Sequence, residues 1–358
     1  MPPPKIDRSS SHPSLKEWFA MSTSFLRWTR RILLAPLAIA AIGLGASARA
    51  ETVTIGIQSM FAPWKDAIVK KEFEKATGWD IKWRNFDSGG DVMTAMASGD
   101  VQIGVAGSSP IAAGVSRGVE VQLFWILDNI NEAEALVVRK GAGIHAPQDL
   151  KGKTLAVPFV STTHFHALFA LEQFGLAGQV KVINLQPSDM PAAWERGDID
   201  AAFVWDPALG KLKQNGEVLL TSGLLTQWGK ATFDGLVVSK AFAAKNADGM
   251  KAFTKVLQTS TAGYVSSPKT WTADSEAVKN IAKNSGATPE EVPPVLALYQ
   301  FPLAAEQAGQ VWLGGGKTGG AAAALAATAE FLKAQKRIPA VLPDYSVAVT
   351  PAFVDAAK

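Results

Sequence analysis

The chain has 358 residues, 47% of them hydrophobic and 19% charged, a globular composition with room for about two domains. Its formal net charge of +3 comes from the first 50 residues, which hold seven basic and two acidic side chains; the rest holds 28 basic and 30 acidic, a net of −2, and offers no basic footprint for nucleic acid. There is no cysteine, which excludes thiol nucleophiles, disulfides and cysteine-ligated metals or clusters.

In chain order, the first feature is a leader. Arg27, Arg30 and Arg31 precede the apolar run ILLAPLAIAAIGLG (32–45), and ASARA (46–50) places Ala48 and Ala50 at the two small-residue positions before a cut. Basic start, apolar middle and Ala-x-Ala end are the parts of a secretory signal. The run is short, and too broken by proline and glycine for a membrane span of about 20 residues. Residues 1–20 read as an upstream extension before Met21, so 1–50 is extension plus cleavable signal. The mature chain is expected to begin at Glu51, after export. The adjacent arginines also fit a twin-arginine leader. No later stretch is apolar for long enough to span a membrane.

TVTIGIQ (52–58) alternates as a half-buried strand does. Residues 62–78 have helical spacing with Gly78 as the stop. WDIKWRNFDSG (79–89) returns to strand, 89–100 is a short helix, and GDVQIGVAGSSPIAAG (99–114) is a strand handing over to a helix. Strands follow at 121–129, 134–141 and within 146–158, then a helix at 161–176, a strand at 180–187 and a helix at 188–198. GDIDAAFVWDPAL (197–209) repeats the Gly-Asp-aliphatic opening and the proline at the turn. LVVSKAFAAK (236–245) is a strand entering a helix, and the remainder is mostly helical. Alternating strands and helices predict a parallel α/β architecture. Two such sets, at about 51–130 and 135–235, followed by a return strand, predict two lobes with two crossings and a ligand between them.

The two turns carry the chemistry. A helix start leaves backbone N–H groups unpaired and carries partial positive charge. GSSP places Ser108 and Ser109 there, with Gly107 admitting a close approach and Pro110 in the first turn. STTH places Thr162 and Thr163 at a second helix start, with His164 beside them. Each is an anion seat; each set of hydroxyls is also accounted for as simple helix caps. Trp205 and Asp206 add an aromatic wall and a carboxylate, and Asp234 lies just before the return strand. Carboxylates beside anion seats suit a zwitterion; a solvated loop carboxylate is the plainer role for Asp206. His164 and His166, two apart, do not share a helix face and make a poor metal pair. GGGKTGG (314–320) lacks the first glycine and the preceding strand of a phosphate loop. No metal and no cofactor is expected.

Four stretches, FDSGGDVMTAMASGDVQIGVAGSSPIAA, LKGKTLAVPFVSTTHFHALFAL, VINLQPSDMPAAWERGDIDAAFVWDPAL and WGKATFDGLVVSKAFAAKN, together with FLKAQKRIPAVLPDYS, resemble the taurine-binding periplasmic proteins of ABC importers. Those stand within the wider sulfonate, nitrate and thiamine-precursor binding proteins, and the resemblance runs from about residue 51 to the end. It implies a two-lobe periplasmic binding protein fold of type II: α/β, with parallel-sheet lobes joined by a two-crossing hinge. Lobe 1 would take 51–132 and 235–358, and lobe 2 would take 133–234. It also implies capture of taurine or a related small aminosulfonate for delivery to a membrane permease, by a monomer that is not an enzyme. The sulfonate would sit on Ser108, Ser109, Thr162 and Thr163, with Gln58 and Trp205 lining the cleft and Asp234 taking the ammonium. Asp206 departs from the small residue expected in the taurine branch.

The alternatives are another small anion (an alkanesulfonate, a sulfate ester or nitrate), an enzyme on the same fold, and a sensory ligand-binding domain. A strictly anionic ligand leaves Asp234 without a purpose, and the enzymes of this architecture resemble thiol-dependent ones. Amino-terminal sequencing of exported protein is expected to read from Glu51; an intact apolar segment in the membrane fraction would overturn the leader.

Overall fold

The computed structural model describes residues 50–358; the leader read in 1–49 lies outside them. Among the described residues, ten strands form two five-stranded sheets. The first sheet is built from β1 (Thr52–Gln58), β2 (Asp80–Phe86), β3 (Ile103–Gly107), β4 (Val121–Asn129) and, from far along the chain, β10 (Phe233–Ser239). The second holds β5 (Glu134–Arg139), β6 (Thr154–Val157), β7 (Lys181–Asn184), β8 (Ala201–Trp205) and β9 (Gly216–Thr221).

The two sheets share one plan. Their orders are β2-β1-β3-β10-β4 and β7-β6-β8-β5-β9. In each, three strands pair in parallel and the fourth position is filled by an antiparallel strand that has just crossed from the other lobe. The sheets are therefore mixed rather than purely parallel. A parallel neighbour would require another helical crossover, whereas a chain arriving from the facing lobe enters at the cleft edge and runs the opposite way. The first crossing is short, residues 130–133 between β4 and β5; the second, residues 222–232 between β9 and β10, carries the helix Ser222–Gln227.

One cluster of buried apolar residues runs from the first sheet (Val53, Ile55, Ile103, Val105, Leu123, Leu236) to one face of the second (Val137, Ala202, Val204), and a separate cluster (Leu136, Leu155, Val157, Phe203) holds the alternate residues of the second sheet. The helix expected over 62–78 is two helices, Lys65–Val69 and Glu72–Thr77, because Lys71 adopts a left-handed conformation (φ 55°) between them. Lys65 is fully buried, and its Nζ donates to the Gln58 carbonyl at 2.7 Å and to Ser285 Oγ at 3.0 Å, which pins the end of β1. Burial lowers its pKa to about 7.

The helical tail touches both lobes. Asn129 and Gln300 exchange backbone hydrogen bonds at 2.8 and 3.1 Å, which holds Tyr299 beside the end of β4. The helix Gly320–Ala334 lies along the lobe 1 helix Ser108–Ser116 and sends Phe331 edge-on against Phe165 of lobe 2, at 5.1 Å between ring centroids. Phe331→Ala is expected to destabilise the protein by about 2 kcal/mol, read as a lower urea midpoint at unchanged slope.

Candidate binding cleft

Parallel strands of an α/β sheet place functional groups at their carboxyl ends. Here Gln58 ends β1, Gly107 ends β3, Asp128 lies near the end of β4, and Trp205 ends β8. The antiparallel strands bring their first residues to the same edge. Glu134 opposes Trp205, and Asp234 opposes both Gly107 and Asp128. Each crossing thus delivers a carboxyl group to the cleft.

A cavity of about 360 Å³, its open mouth included, lies between the lobes. Lobe 1 lines it with Gln58, Met60, Gly89, Gly107, Pro110, Asp234 and Tyr299; lobe 2 supplies Glu134, Ser161, Thr162 and Trp205. Two helix starts meet there, Ser108–Ser116 from lobe 1 and Thr162–Gln173 from lobe 2. Contact is so close that a Cβ on Gly107 would stand 2.6 Å from Thr162 Cγ2 and 3.2 Å from Asp234 Oδ1. Glycine is required at 107 for space, since its φ of −72° suits any residue.

Of the residues read from sequence, Gln58, Thr162, Trp205 and Asp234 line the cavity. Ser108 and Ser109 are fully buried just behind Gly107; their hydroxyls have no hydrogen-bond partner, and neither caps its helix. The cap of the second helix is Ser161, whose Oγ accepts from the His164 N–H at 3.0 Å and lies 2.8 Å from Thr163 Oγ1. Thr162 is therefore free to face the cavity, while Thr163 stays behind it. His164 accepts the Val160 N–H through Nδ1 at 3.1 Å and stacks on Phe159. Burial, with the Arg337 charge, lowers its pKa to about 4. Asp206 Oδ1 accepts the Gly210 N–H at 2.9 Å, and burial raises its pKa. Ser108, Ser109, Thr163, His164 and Asp206 thus stand outside the lining.

Glu134 is the residue that sequence reading missed. Its Oε1 accepts from Thr162 Oγ1 at 2.5 Å, and its Oε2 lies 3.0 Å from Ser222 Oγ. Burial, reinforced by the Asp234 charge, raises its pKa to about 8 despite those two bonds. Asp234 is raised to about 7 by burial. Asp128 is pushed well above the usual range by burial and by the charges of Asp234 and Glu134. A signal for Glu134 was present: EALVVRK (134–140) repeats DGLVVSK (234–240) at an offset of 100 residues. Tyr299, in the helical tail, carries no such pattern; burial raises its hydroxyl pKa.

The arrangement offers two positive helix ends and a pair of carboxyl groups in one enclosed space, which suits a small molecule with an anionic and a cationic end. Among the described residues no cluster of His, Asp and Glu stands ready to hold a metal ion.

The model of the family described as "NMT1/THI5 like" matches residues 69–271. The taurine-binding periplasmic protein of Escherichia coli (strain K12) is 41% identical over 327 residues, covering 91% of this chain and 98% of that protein. The chain belongs to this family of binding proteins. A putative aliphatic sulfonates-binding protein of Bacillus subtilis (strain 168) is 28% identical, over 58% of this family member and 63% of its relative. The alkanesulfonate-binding protein SsuA from Xanthomonas axonopodis pv. citri, bound to MOPS, has the same fold: TM-score 0.66 at 22% identity, covering 85% of this family member and 98% of that chain. The two-lobe periplasmic binding fold is thereby shown for this chain.

The raised carboxyl pKa values have a pH consequence. Unfolded, Glu134 ionises near 4.5; folded, it holds its proton to about pH 8. Its contribution to stability is therefore complete below about pH 4.5 and is lost as pH rises through 8. Glu134→Gln cannot ionise, so it is expected to gain about 3–4 kcal/mol relative to the parent between pH 5 and 8. Ligand-free melts across that range check it; parallel curves would contradict it.

Proposed function

We propose that the protein captures taurine, or a closely related small aminosulfonate, between its two lobes in the periplasm and presents it to the membrane permease of an ABC importer. The observation that carries this reading is the pairing of Glu134 and Asp234 with two facing helix starts in one cleft. A sulfonate stays ionised at any physiological pH and has three acceptor oxygens. It would sit at the helix starts, taking hydrogen bonds from Thr162 and, after small rearrangements, from the buried and unpartnered hydroxyls of Ser108 and Ser109. Thr163 and His164 would support that seat from behind. The ammonium would lie against Asp234 and Glu134, with Gln58, Trp205 and Tyr299 closing around the two carbons. Asp206 would act by holding the turn after Trp205.

Each charge-assisted hydrogen bond contributes about 1.5–3 kcal/mol net, and a micromolar site needs about 8 kcal/mol. A handful therefore suffices, even after the cost of closing the lobes. The lobes would be 51–132 with 233–358, since β10 belongs to the first sheet, and 133–232, working as a monomer after removal of the leader. Binding without catalysis fits a chain with no thiol nucleophile and a relative named for binding.

Taurine is expected to raise the melting temperature more than ethanesulfonate at equal concentration, with about 2.7 kcal/mol of stabilisation at one hundred times its dissociation constant. Asp234→Asn is expected to weaken taurine by about 2–5 kcal/mol and ethanesulfonate by far less. Equal stabilisation by the two ligands, or equal losses in the variant, would sink the zwitterion reading.

A further inference from the structure

Behind the cavity runs a chain of hydrogen bonds that ligand capture as described does not use. The carbonyl oxygen of Lys230 lies 2.7 Å from His166 Nε2. His166 Nδ1 lies 2.8 Å from Ser222 Oγ, and Ser222 Oγ lies 3.0 Å from Glu134 Oε2. His166 and Ser222 are fully buried and Glu134 nearly so.

The hydrogens of this chain can be counted. A carbonyl only accepts, so His166 Nε2 carries a hydrogen. The two remaining links each need one more. Ser222 brings a single hydrogen, so the second must be on Glu134 Oε2 or on His166 Nδ1. Either way the chain holds one proton more than a carboxylate and a neutral imidazole would, and its net charge is zero. Thr162, donating to Oε1, leaves that count unchanged. Burial raises the Glu134 pKa to about 8 and lowers that of His166 to about 4, which places the proton on Glu134.

We propose that capture of a cationic solute expels this proton, so that the protein recognises the ligand's ammonium by exchanging it for the proton held in the Glu134–Ser222–His166 chain. The proposal rests on the aminosulfonate reading. The balance is simple: the O–H bond of Glu134 breaks, the proton leaves to solvent, and the ammonium takes its place beside the carboxylate. Ser222 then donates to that carboxylate, and Nδ1 of His166 gives up its bond. An adjacent cation lowers a carboxyl pKa by about 1–3 units, enough to ionise Glu134 at neutral pH.

The groups facing the chain from every side bear on its charge. Asp128 from β4 and Asp234 from β10 are acidic and favour keeping the proton. Tyr299 and Asp206 belong to the same field: after burial, Asp128, Asp234, Glu134 and Asp206 all raise the Tyr299 hydroxyl pKa. Glu132 stands against Gly223, next to Ser222. His164 is on the helix that carries Thr162 and His166. Two cations are near: Lys230, whose ammonium lies over the Phe169 ring, and Lys65, bonded to the Gln58 carbonyl. Lys65 titrates in the same range as Glu134, so a variant must assign the proton.

The test is calorimetry of taurine and of ethanesulfonate at pH 7 in buffers of different ionisation enthalpy. Taurine is expected to release about one proton and to gain affinity by up to about tenfold per pH unit from 6 to 7.5. Ethanesulfonate is expected to release none and to lose affinity over that range. Glu134→Gln should abolish most of the release. Binding of taurine without proton release, or full release from Glu134→Gln, would overturn the exchange while leaving the binding function intact. A ligand-free infrared spectrum tests the proton separately. A buried carboxylic-acid C=O band that vanishes in Glu134→Gln supports it, and its absence in the parent overturns it. Failure of taurine to bind would instead strike the function, and the infrared band would still decide the proton.

Discussion

The site depends on the direction in which the chain enters each sheet. A strand that arrives from the opposite lobe runs antiparallel to its new neighbours, so its first residue lands where theirs end. Glu134 and Asp234 are those first residues, or nearly so, and their partners across the ladder are Trp205, Gly107 and Asp128. The hinge and the carboxyl groups of the cleft are thus the same few residues. Any change that shifts the register of β5 or β10 would move a carboxyl group out of the cleft.

Three carboxyl groups in one dry space would repel if all were ionised. The protein offsets this in two ways. The two helix starts aim partial positive charge into the cavity, and bound protons neutralise what remains. A ligand with one charge of each sign satisfies both ends of that field together. A purely anionic ligand answers only the helix ends. The close packing of Gly107 against Thr162 brings those ends together, and an anion between them offsets their mutual repulsion.

Much of the fold was legible in the sequence because strand and helix periods are local. The doubled Gly-Asp-aliphatic units announced the two-lobe plan, and both turned out to be strands at the same position in their sheets. The antiparallel insertion was not legible, since strand direction depends on where the chain has come from rather than on its own residues. Within the site, Asp234 stood out between apolar neighbours, whereas Glu134, the first residue of the strand expected at 134–141, was not singled out in the acidic segment NEAEA. Its likeness to Asp234 appears only when the two crossing strands are laid together. The serines and threonines were found as a group, but which of them caps and which faces the cavity depends on side-chain rotation. Ser161 takes the cap and Thr162 turns toward Glu134. Tyr299 comes from a region with no strand pattern and is placed by a single backbone pairing between Asn129 and Gln300.

The contact of Phe331 with Phe165 has a mechanical consequence. Besides the two chain crossings, the lobes meet where Gly107 packs against Thr162 and where Gln186 Nε2 donates to Asp91 at 3.2 Å. The tail helix adds a further attachment, anchored along one lobe and touching the other through an aromatic edge. An edge-to-face ring pair contributes about 0.5–1.5 kcal/mol, comparable to thermal energy and well below the energy of a bound ligand. The tail therefore works as a soft detent: it biases the angle between the lobes without locking it, and a ligand can override it.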